Sequence, residues 1–368
     1  MGKFEIPFVD LARQFKNIES EITRTFIDIG RSGVYIMGQR LESFESKAAD
    51  YCGVKYAIGV ADGSSALFLI LKALGIGPGD EVITATNSFI ASAWVIVAAG
   101  AKPVLVDVAE DLNIDVQKIE SAITSRTKAI IPVHLTGRPA AMEEINAIAI
   151  RHGLKVIEDA AQAVGATYHG QRVGSLGIAA GFSLHPVKNL GVYGDGGLIT
   201  TNDSSLNKTI RLLRNHGLRN RDECEIWGFN SRLDTMQAAF AEIKLKKLDA
   251  WNQRCRDIAN AYRHSMEKFV LVPVDQSWEV PVYHNFVIRT ERRDELINYL
   301  RQAGIDTRIH YPIPIHLQGA AHGLGYSQGD FPRAELYAKT MISLPIYPEL
   351  NNTEVNYVIS SVESFFAP

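Results

Sequence analysis

The chain has 368 residues, of which 46% are hydrophobic and 21% are charged, and its formal net charge at pH 7 is −3. This length exceeds what one hydrophobic core usually supports, and the mixed charges provide no basic surface for nucleic acid or an anionic membrane. No apolar run approaches the roughly 20 residues of a membrane helix, and the first residues lack the apolar core of a signal peptide, so we expect a cytoplasmic protein.

Three cysteines, Cys52, Cys224 and Cys255, are widely separated in the sequence. Their number is odd and no pair has CxxC spacing, which argues against a disulfide framework and against a zinc site. We therefore expect each cysteine to be a small buried or partly buried hydrophobic residue, and we expect no bound metal.

The first predicted region, from about residue 55 to residue 200, alternates short β-branched runs with helical stretches. Strands are predicted over residues 55–61, 80–86, 102–108, 128–135, 155–160, 179–184 and 196–201. Helices are predicted over residues 64–75, 91–100 and 140–153. The alternation predicts an α/β fold in which a mostly parallel sheet is sandwiched by helices.

The second region begins near residue 231, where helical periodicity continues to residue 267. This periodicity predicts one long helix, capped by Ser231 or Asp234, that links two domains. Three lysines of the helix are expected to form a solvated face, namely Lys244, Lys246 and Lys247. We expect a large α/β domain over residues 1–240. Residues 241–368 are expected to form the linking helix and a smaller C-terminal α+β domain.

Lys188 lies in a glycine-rich loop, HPVKNLGVYGDGG, between two predicted buried strands. Asp159 ends another predicted strand and leads to Gln162, and open α/β sheets build their ligand sites at the carboxyl ends of strands. A lysine that forms an imine with pyridoxal phosphate, with an aspartate that bonds the ring nitrogen, is one known pairing of these residue types. An ordinary ion pair between the two side chains is the alternative.

Two further features are compatible with a cofactor site. Gly63, Ser64 and Ser65 stand at the start of a predicted helix, where free N–H groups, the helix dipole and two hydroxyls form a phosphate site. Phe89 follows another strand, and its ring could stack on a heteroaromatic ring. Each feature has a simpler explanation, N-capping by a serine and a core phenylalanine, so only their joint occurrence favours a cofactor.

Two long segments, VIEDAAQAVGATYHGQRVGSLGIAAGFSLHPVKNLGVYGDGGLITTND and RLLRNHGLRNRDECEIWGFNSRLDTMQAA, carry a family resemblance. They closely resemble the sugar aminotransferases of the DegT/DnrJ/EryC1/StrS family, and the resemblance runs from IPFVDLARQF almost to the C-terminus. It implies fold type I of the pyridoxal-phosphate-dependent transferases. It also implies a homodimer in which each active site is completed by the neighbouring subunit.

The resemblance implies a role for each matching residue. Lys188 would bind pyridoxal phosphate covalently, and Asp159 would bond the pyridine nitrogen. Gln162 would lie near the ring hydroxyl, and Phe89 would stack on the ring. The phosphate would be held by Gly63, Ser64, Ser183 and, from the neighbouring subunit, Asn230.

The resemblance also implies the substrates. The amino donor would be L-glutamate, and the acceptor a nucleotide-linked keto-deoxysugar whose amino product serves a surface polysaccharide or a secondary metabolite. The GDGG motif after Lys188 favours amination at carbon 3 of the hexose, whereas His185 favours the carbon 4 alternative. The candidate substrate contacts are His185, Arg232, His310 and Tyr311.

Other interpretations are a keto-cyclitol acceptor and a non-catalytic regulatory protein of the same fold. The complete set of cofactor residues argues against the regulatory protein. A sugar dehydratase of this family would carry histidine at position 188, and no G-x-G-x-x-G motif indicates a nicotinamide enzyme. His134 is expected either to face the cofactor side of the sheet or to be a buried, hydrogen-bonded residue.

Overall fold

The computed structural model describes residues 4–367. Its α-helices are α1 (Leu11–Ser32), α2 (Gln39–Cys52), α3 (Gly63–Ala73), α4 (Ala91–Ala99), α5 (Val116–Ile119), α6 (Met142–His152), α7 (Ser204–Leu213), α8 (Thr235–Leu245), α9 (Leu248–Met266), α10 (Arg293–Gln302), α11 (Pro332–Thr340) and α12 (Asn352–Phe366). Its strands are β1 (Tyr56–Val60), β2 (Glu81–Ala85), β3 (Lys102–Val106), β4 (Thr127–Ile131), β5 (Lys155–Asp159), β6 (Thr167–Tyr168), β7 (Gln171–Arg172), β8 (Ala179–Ser183), β9 (Gly197–Thr201), β10 (Glu279–Val280), β11 (Phe286–Arg289) and β12 (Met341–Leu344).

The central sheet has seven strands in the order β1-β9-β8-β5-β4-β2-β3. Each of the seven strands predicted from the sequence is present. The strands from β8 to β3 pair in parallel, and β9 pairs antiparallel with both β1 and β8. The prediction of a mostly parallel sheet is therefore confirmed.

Helices cover both faces of this sheet, because its strands place apolar side chains on both sides. On one face, Ile58 of β1 lies in a buried cluster with Ile70 of α3 and Ile210 of α7. On the other face, Ala57 of β1 lies in a cluster with Phe44 of α2. Neighbouring residues of β1 therefore belong to different clusters, because successive side chains of a β-strand point to opposite faces of the sheet.

The C-terminal elements form a smaller α+β layer around their own hydrophobic cluster. Strands β11 and β12 pair antiparallel, and Phe286 of β11 packs in this cluster with Tyr262 of α9 and Val358 of α12. Among the described residues, no helix is long and apolar enough to cross a membrane.

The prediction of one continuous helix over residues 231–267 is wrong. The chain forms two helices, because α8 ends at Leu245 and α9 begins at Leu248. Helix α8 packs on α1 and α2, whereas α9 packs on α12. Because the two helices pack against different layers of the structure, the helix axis breaks between them. The N-cap of α8 is Asp234, although its side chain makes no capping hydrogen bond.

The expected solvated lysine face is also wrong for Lys244, which is only 1% exposed. Its Nζ donates to Gln14 Oε1 at 2.8 Å and lies 4.2 Å from the centroid of the Tyr193 ring. Lys246 is exposed, as expected. The cysteine prediction holds for the buried Cys52 and Cys255, and it is wrong for Cys224, which lies on an exposed loop.

The buried Lys244 predicts a specific dependence of stability on pH. Burial lowers its pKa from 10.5 to about 8, against the attraction of Glu349. Between pH 8 and 10.5 the unfolded chain binds a proton that the folded chain does not, so the free energy of unfolding should rise with pH, by at most about 3 kcal/mol. Urea unfolding at several pH values should show a rise that is smaller in Lys244→Met than in the wild-type protein by this amount, because the buried Lys188 makes its own contribution in both proteins. A Lys246→Met control should behave as the wild type, and parallel curves for Lys244→Met and the wild type would contradict the prediction.

Candidate active site

A pocket of about 540 Å³ opens at the carboxyl edge of the central sheet, where β5 and β8 end and where the segments after β1 and β2 begin. This edge is the usual position of ligand sites in open α/β sheets. Ten of the residues predicted from the sequence line the pocket, namely Gly63, Ser64, Phe89, Asp159, Gln162, Ser183, His185, Lys188, His310 and Tyr311. The fold therefore brings together residues that are up to about 250 positions apart in the sequence.

The N-terminus of α3 lines part of the pocket. The N-cap is Asp62, whose carboxylate accepts from Ser65 N at 2.8 Å and from Ser65 Oγ at 2.7 Å. Ser64 and Ser183 line the pocket, and because Asp62 caps the helix, capping by a serine is not the explanation of this motif. At Gly63 a Cβ atom would lie 2.8 Å from the Cβ of Ser183, so only glycine permits this close approach of backbone and serine. Backbone N–H groups and hydroxyls at a helix N-terminus suit a phosphate.

Asp159 also lines the pocket and is buried at the last position of β5. Its Oδ2 accepts from Ser92 Oγ at 2.7 Å, and its Oδ1 accepts from Ala161 N at 3.2 Å. Burial raises the pKa of Asp159, while these hydrogen bonds and the nearby Lys188 oppose the rise. A buried carboxylate in this state is well suited to pair with a protonated ring nitrogen.

The hydrogen bond from Ser92 to Asp159 was not predicted from the sequence. Ser92 lies on α4 and also forms a hydrogen bond with Ser88, with 2.8 Å between the two hydroxyl oxygens. The two serines are four residues apart in the segment SFIASA, which places them on one side of a helical turn. This spacing was a usable signal for a serine pair near the end of β2.

Lys188 lies in the loop that follows β8 and lines the same pocket. Its backbone N donates to His185 O at 2.8 Å, and the adjacent Asn189 Nδ2 donates to Val164 O at 2.6 Å, so the loop is held on both sides. Burial lowers the pKa of the Lys188 amine to about 8, against the attraction of Asp159. The lowered pKa increases the fraction of unprotonated amine near neutral pH, and an unprotonated amine is both a nucleophile and a proton acceptor.

Gln162 and Tyr311 connect the sheet edge to the C-terminal layer. Gln162 Oε1 accepts from Thr136 N at 2.7 Å, and Gln162 Nε2 donates to Tyr311 Oη at 3.2 Å. The Phe89 ring lies 6.1 Å from the Tyr311 ring and is largely exposed, so its face is available to a planar ligand.

His284 lines the pocket and was not singled out from the sequence. Burial and the neighbouring Lys188 hold the pKa of His284 well below its usual value. Burial, Lys188 and Arg308 likewise lower the pKa of His310 to about 4. Both imidazoles beside Lys188 are therefore neutral at pH 7.

The structure decides the position of His134, which the sequence left open. Its side chain is fully buried, its Nδ1 accepts from Ala140 N at 3.0 Å, and its Nε2 lies 3.1 Å from Glu158 Oε2. It does not line the pocket. His134 is thus a buried, hydrogen-bonded residue.

Two predicted residues, Asn230 and Arg232, lie outside the pocket of their own chain. Asn230 is exposed, and Arg232 Nη1 donates to Asn215 Oδ1 at 3.1 Å. Both follow the loop that carries Trp227, a tryptophan 94% exposed in the single chain.

The pocket fits pyridoxal phosphate by the chemistry of its side chains. The helix N-terminus and the Ser64 and Ser183 hydroxyls suit the phosphate, Asp159 suits the ring nitrogen, and the exposed Phe89 face suits the ring. Lys188 lines the same pocket and is the one lysine to do so among the described residues. When bound, this cofactor supplies an electron sink for breaking a bond at the substrate carbon next to nitrogen.

Comparison with known proteins places these features in a family. Residues 16–363 match the DegT/DnrJ/EryC1/StrS aminotransferase family. The chain is 48% identical to the dTDP-3-amino-3,6-dideoxy-alpha-D-galactopyranose transaminase of Aneurinibacillus thermoaerophilus, covering 98% of this chain and 99% of the relative. It is 45% identical to a protein of Geobacillus stearothermophilus named pleiotropic regulatory protein, covering 98% of each chain.

The overall fold agrees with this match. The crystal structure of S. venezuelae DesV in complex with a ketimine intermediate superposes with a TM-score of 0.97 at 44% identity, over 100% of both chains. The cofactor-shaped pocket, the matched sequence and the shared fold all point to the same conclusion. The chain belongs to the DegT/DnrJ/EryC1/StrS family and is a pyridoxal-phosphate-dependent sugar aminotransferase.

Proposed function

We propose that this enzyme transfers the amino group of L-glutamate to carbon 3 of a nucleotide-linked keto-deoxysugar. The observation that carries the proposal is one pocket that is lined by Asp159, by the phosphate-type N-terminus of α3 and by Lys188, whose amine has its pKa lowered to about 8 by burial. The Aneurinibacillus relative, which is named for a sugar aminated at carbon 3, supports the acceptor and the position. Amination at carbon 4 remains the alternative, because His185 lines the pocket.

In this proposal each side chain of the pocket has a defined role. Gly63, Ser64 and Ser183 bind the phosphate, and Phe89 orients the ring by stacking. Asp159 keeps the ring nitrogen protonated, with Ser92 Oγ holding its carboxylate in place. Lys188 attaches the cofactor and, once released by the amino donor, moves a proton at the substrate carbon. One amine on a flexible four-carbon stem serves both half-reactions.

Gln162 has a further task in the proposal, at the ring hydroxyl. Its side chain is oriented from both ends, because its oxygen accepts from Thr136 N and its amide nitrogen donates to Tyr311 Oη. His310 and Tyr311 would then face the sugar. A keto-cyclitol acceptor would meet the same side chains, so the acceptor must be identified by assay.

We also propose that the enzyme works as a homodimer with shared active sites. Asn230, which the family resemblance assigns to a neighbouring phosphate, lies on the surface outside the pocket of its own chain. Large exposed apolar side chains support a partner surface, among them Phe26, Trp94, Val97 and Trp227. A two-fold assembly is the commonest arrangement of such proteins.

The visible absorption spectrum of the purified protein, before and after addition of L-glutamate, tests the donor half-reaction. We expect a yellow band from the lysine-bound cofactor, bleached by L-glutamate and unchanged by D-glutamate. A protein that stays colourless after incubation with pyridoxal phosphate would contradict the proposal and favour the regulatory interpretation. A yellow protein that L-glutamate does not bleach would remove only the donor assignment.

A further inference from the structure

Three buried side chains that the proposed reaction does not use form a chain of hydrogen bonds beside the candidate active site. Thr86 Oγ1 lies 2.8 Å from His316 Nδ1, and His316 Nε2 lies 3.0 Å from Glu335 Oε1. The exposed fractions of the three residues are 0%, 2% and 8%. Buried polar groups that satisfy one another make the parts of the chain that they join more rigid.

The order of hydroxyl, imidazole and carboxylate is that of a catalytic triad. A nucleophilic hydroxyl must reach its substrate, however, and Thr86 is fully buried. None of the three residues lines the active-site pocket. The role of this network therefore lies in the segments that it connects.

Glu335 fixes the direction of the hydrogen bonds. Burial raises the pKa of Glu335, but hydrogen bonds from Gly329 N and from His316 outweigh this effect and hold the pKa below its usual value. The ionised carboxylate can only accept, so His316 Nε2 donates to it. In the neutral imidazole, Nδ1 is then the acceptor for the Thr86 hydroxyl.

The network joins the end of β2 to a segment of the C-terminal layer. Thr86 is the first residue after β2, and its N donates to Val106 O at 2.9 Å. His316 belongs to a single 3-10 turn, Ile315–Leu317, and Ile315 N donates to Thr86 O at 2.8 Å. Backbone and side-chain hydrogen bonds thus connect the two segments at the same position.

Both segments lead from this position to the active-site pocket. Phe89 follows Thr86 by three residues, and Tyr311 precedes His316 by five. Their rings lie 6.1 Å apart in the lining of the pocket, where they form what we call the Phe89–Tyr311 wall. Residues 312 and 313 between Tyr311 and the turn are exposed and lie outside any helix or strand. The position of this wall therefore depends on contacts such as those of Thr86 and His316.

We propose that Thr86 and His316 are positioning residues that hold the Phe89–Tyr311 wall in place for the cofactor ring. The inference rests on the proposed function, in which Phe89 stacks on that ring. It adds a role for a buried network that makes no contact with the pocket. Glu335 contributes by keeping the His316 ring in the orientation that accepts from Thr86.

The test uses three variants of the network. Thr86→Val removes the hydroxyl with little change of shape and leaves His316 Nδ1 without its donor. His316→Gln keeps an amide that can donate to Glu335 and loses the acceptor for Thr86. Thr86→Ser retains the hydroxyl and should restore the wild-type behaviour.

Two readouts follow the wall without measuring turnover. Hydrogen exchange on peptides covering residues 311–318 of the purified protein should accelerate at least about 5-fold in Thr86→Val and in His316→Gln, because a buried acceptor or donor is left unpaired. The dissociation constant of pyridoxal phosphate, from titration of the visible band, should rise roughly 3–10-fold in the same variants.

Thr84→Val is the matched control, because Thr84 is also fully buried and its Oγ1 donates to Ile131 O at 2.9 Å within the sheet. It should lower the unfolding temperature about as much as Thr86→Val, yet leave both readouts within about twofold of the wild type. Equal changes in Thr84→Val would show a general loss of stability and would overturn the inference.

Unchanged exchange, or faster exchange with an unchanged dissociation constant, in both Thr86→Val and His316→Gln would also overturn the inference. A wild-type protein that does not bind pyridoxal phosphate would instead overturn the proposed function. The exchange measurement does not depend on the cofactor, so it would still show whether the network holds residues 311–318.

Discussion

Lys188→Ala is expected to abolish turnover and the visible absorption band while the chain still folds. The variant removes the only lysine of residues 4–367 that lines the active-site pocket, and no other described side chain there can both attach the cofactor and accept a proton at the substrate carbon. The fold should survive, because burial lowers the pKa of Lys188 to about 8 and the charged amine therefore opposes folding at pH 7. Spectroscopy, a glutamate half-reaction assay and thermal unfolding measure the three quantities.

Two further variants sharpen this prediction. Lys188→Arg keeps the positive charge and most of the length, yet a guanidinium does not become neutral, so this variant should also be inactive. Lys208→Ala removes an exposed lysine of α7 and should retain full activity. Measurable turnover by Lys188→Ala at neutral pH, in protein free of wild-type contamination, would refute the assignment of Lys188.

Asp159→Asn is expected to lower the rate of the glutamate half-reaction by about 10²–10³, the usual effect of removing one electrostatic contact at a reacting centre. The amide has nearly the same shape and still accepts from Ser92 Oγ, but it carries no charge to hold the ring nitrogen protonated. A shift in the pH dependence of the visible band should accompany the loss of rate.

The stability of Asp159→Asn separates a chemical role from a structural one. Because burial raises the pKa of Asp159 above its usual value, the ionised carboxylate opposes folding of the cofactor-free chain once the pH exceeds about 4. The variant without cofactor should therefore unfold at the same temperature as the wild type or at a higher one. Asp50→Asn, on the exposed side of α2, is the surface control. A near-normal rate in Asp159→Asn would exclude Asp159 from the site.

Asp159 and Lys188 also explain why much of the active site could be predicted. Each lies at or just after the end of a strand whose apolar run is evident in the sequence, and parallel strands present their carboxyl ends at one edge. Local patterns were therefore enough to bring the phosphate-type helix start, the carboxylate and the lysine into one neighbourhood. The family resemblance added the expected roles, and the geometry is compatible with them.

Contacts between distant segments could not be predicted in the same way. The neutral His284 lines the same pocket as Lys188, although it belongs to the C-terminal layer. A second pocket, of about 400 Å³, adjoins the active site and is lined both by residues between 7 and 14 and by residues 346–349. No local periodicity links segments more than 300 residues apart. Only packing of the C-terminal layer against the sheet edge brings them together.

The sequence by itself determined the α/β architecture, the seven strands of the central sheet and the position of the lysine and carboxylate at its edge. These follow from short-range patterns, the period of two in strands and the glycines and serines that end or begin helices. Only the tertiary structure decided that the helix after Asp234 breaks near Lys246, that Lys244 is buried, and that a second polar pocket adjoins the first. The physical reason is that a helical period specifies which residues share a face, whereas burial depends on what packs against that face.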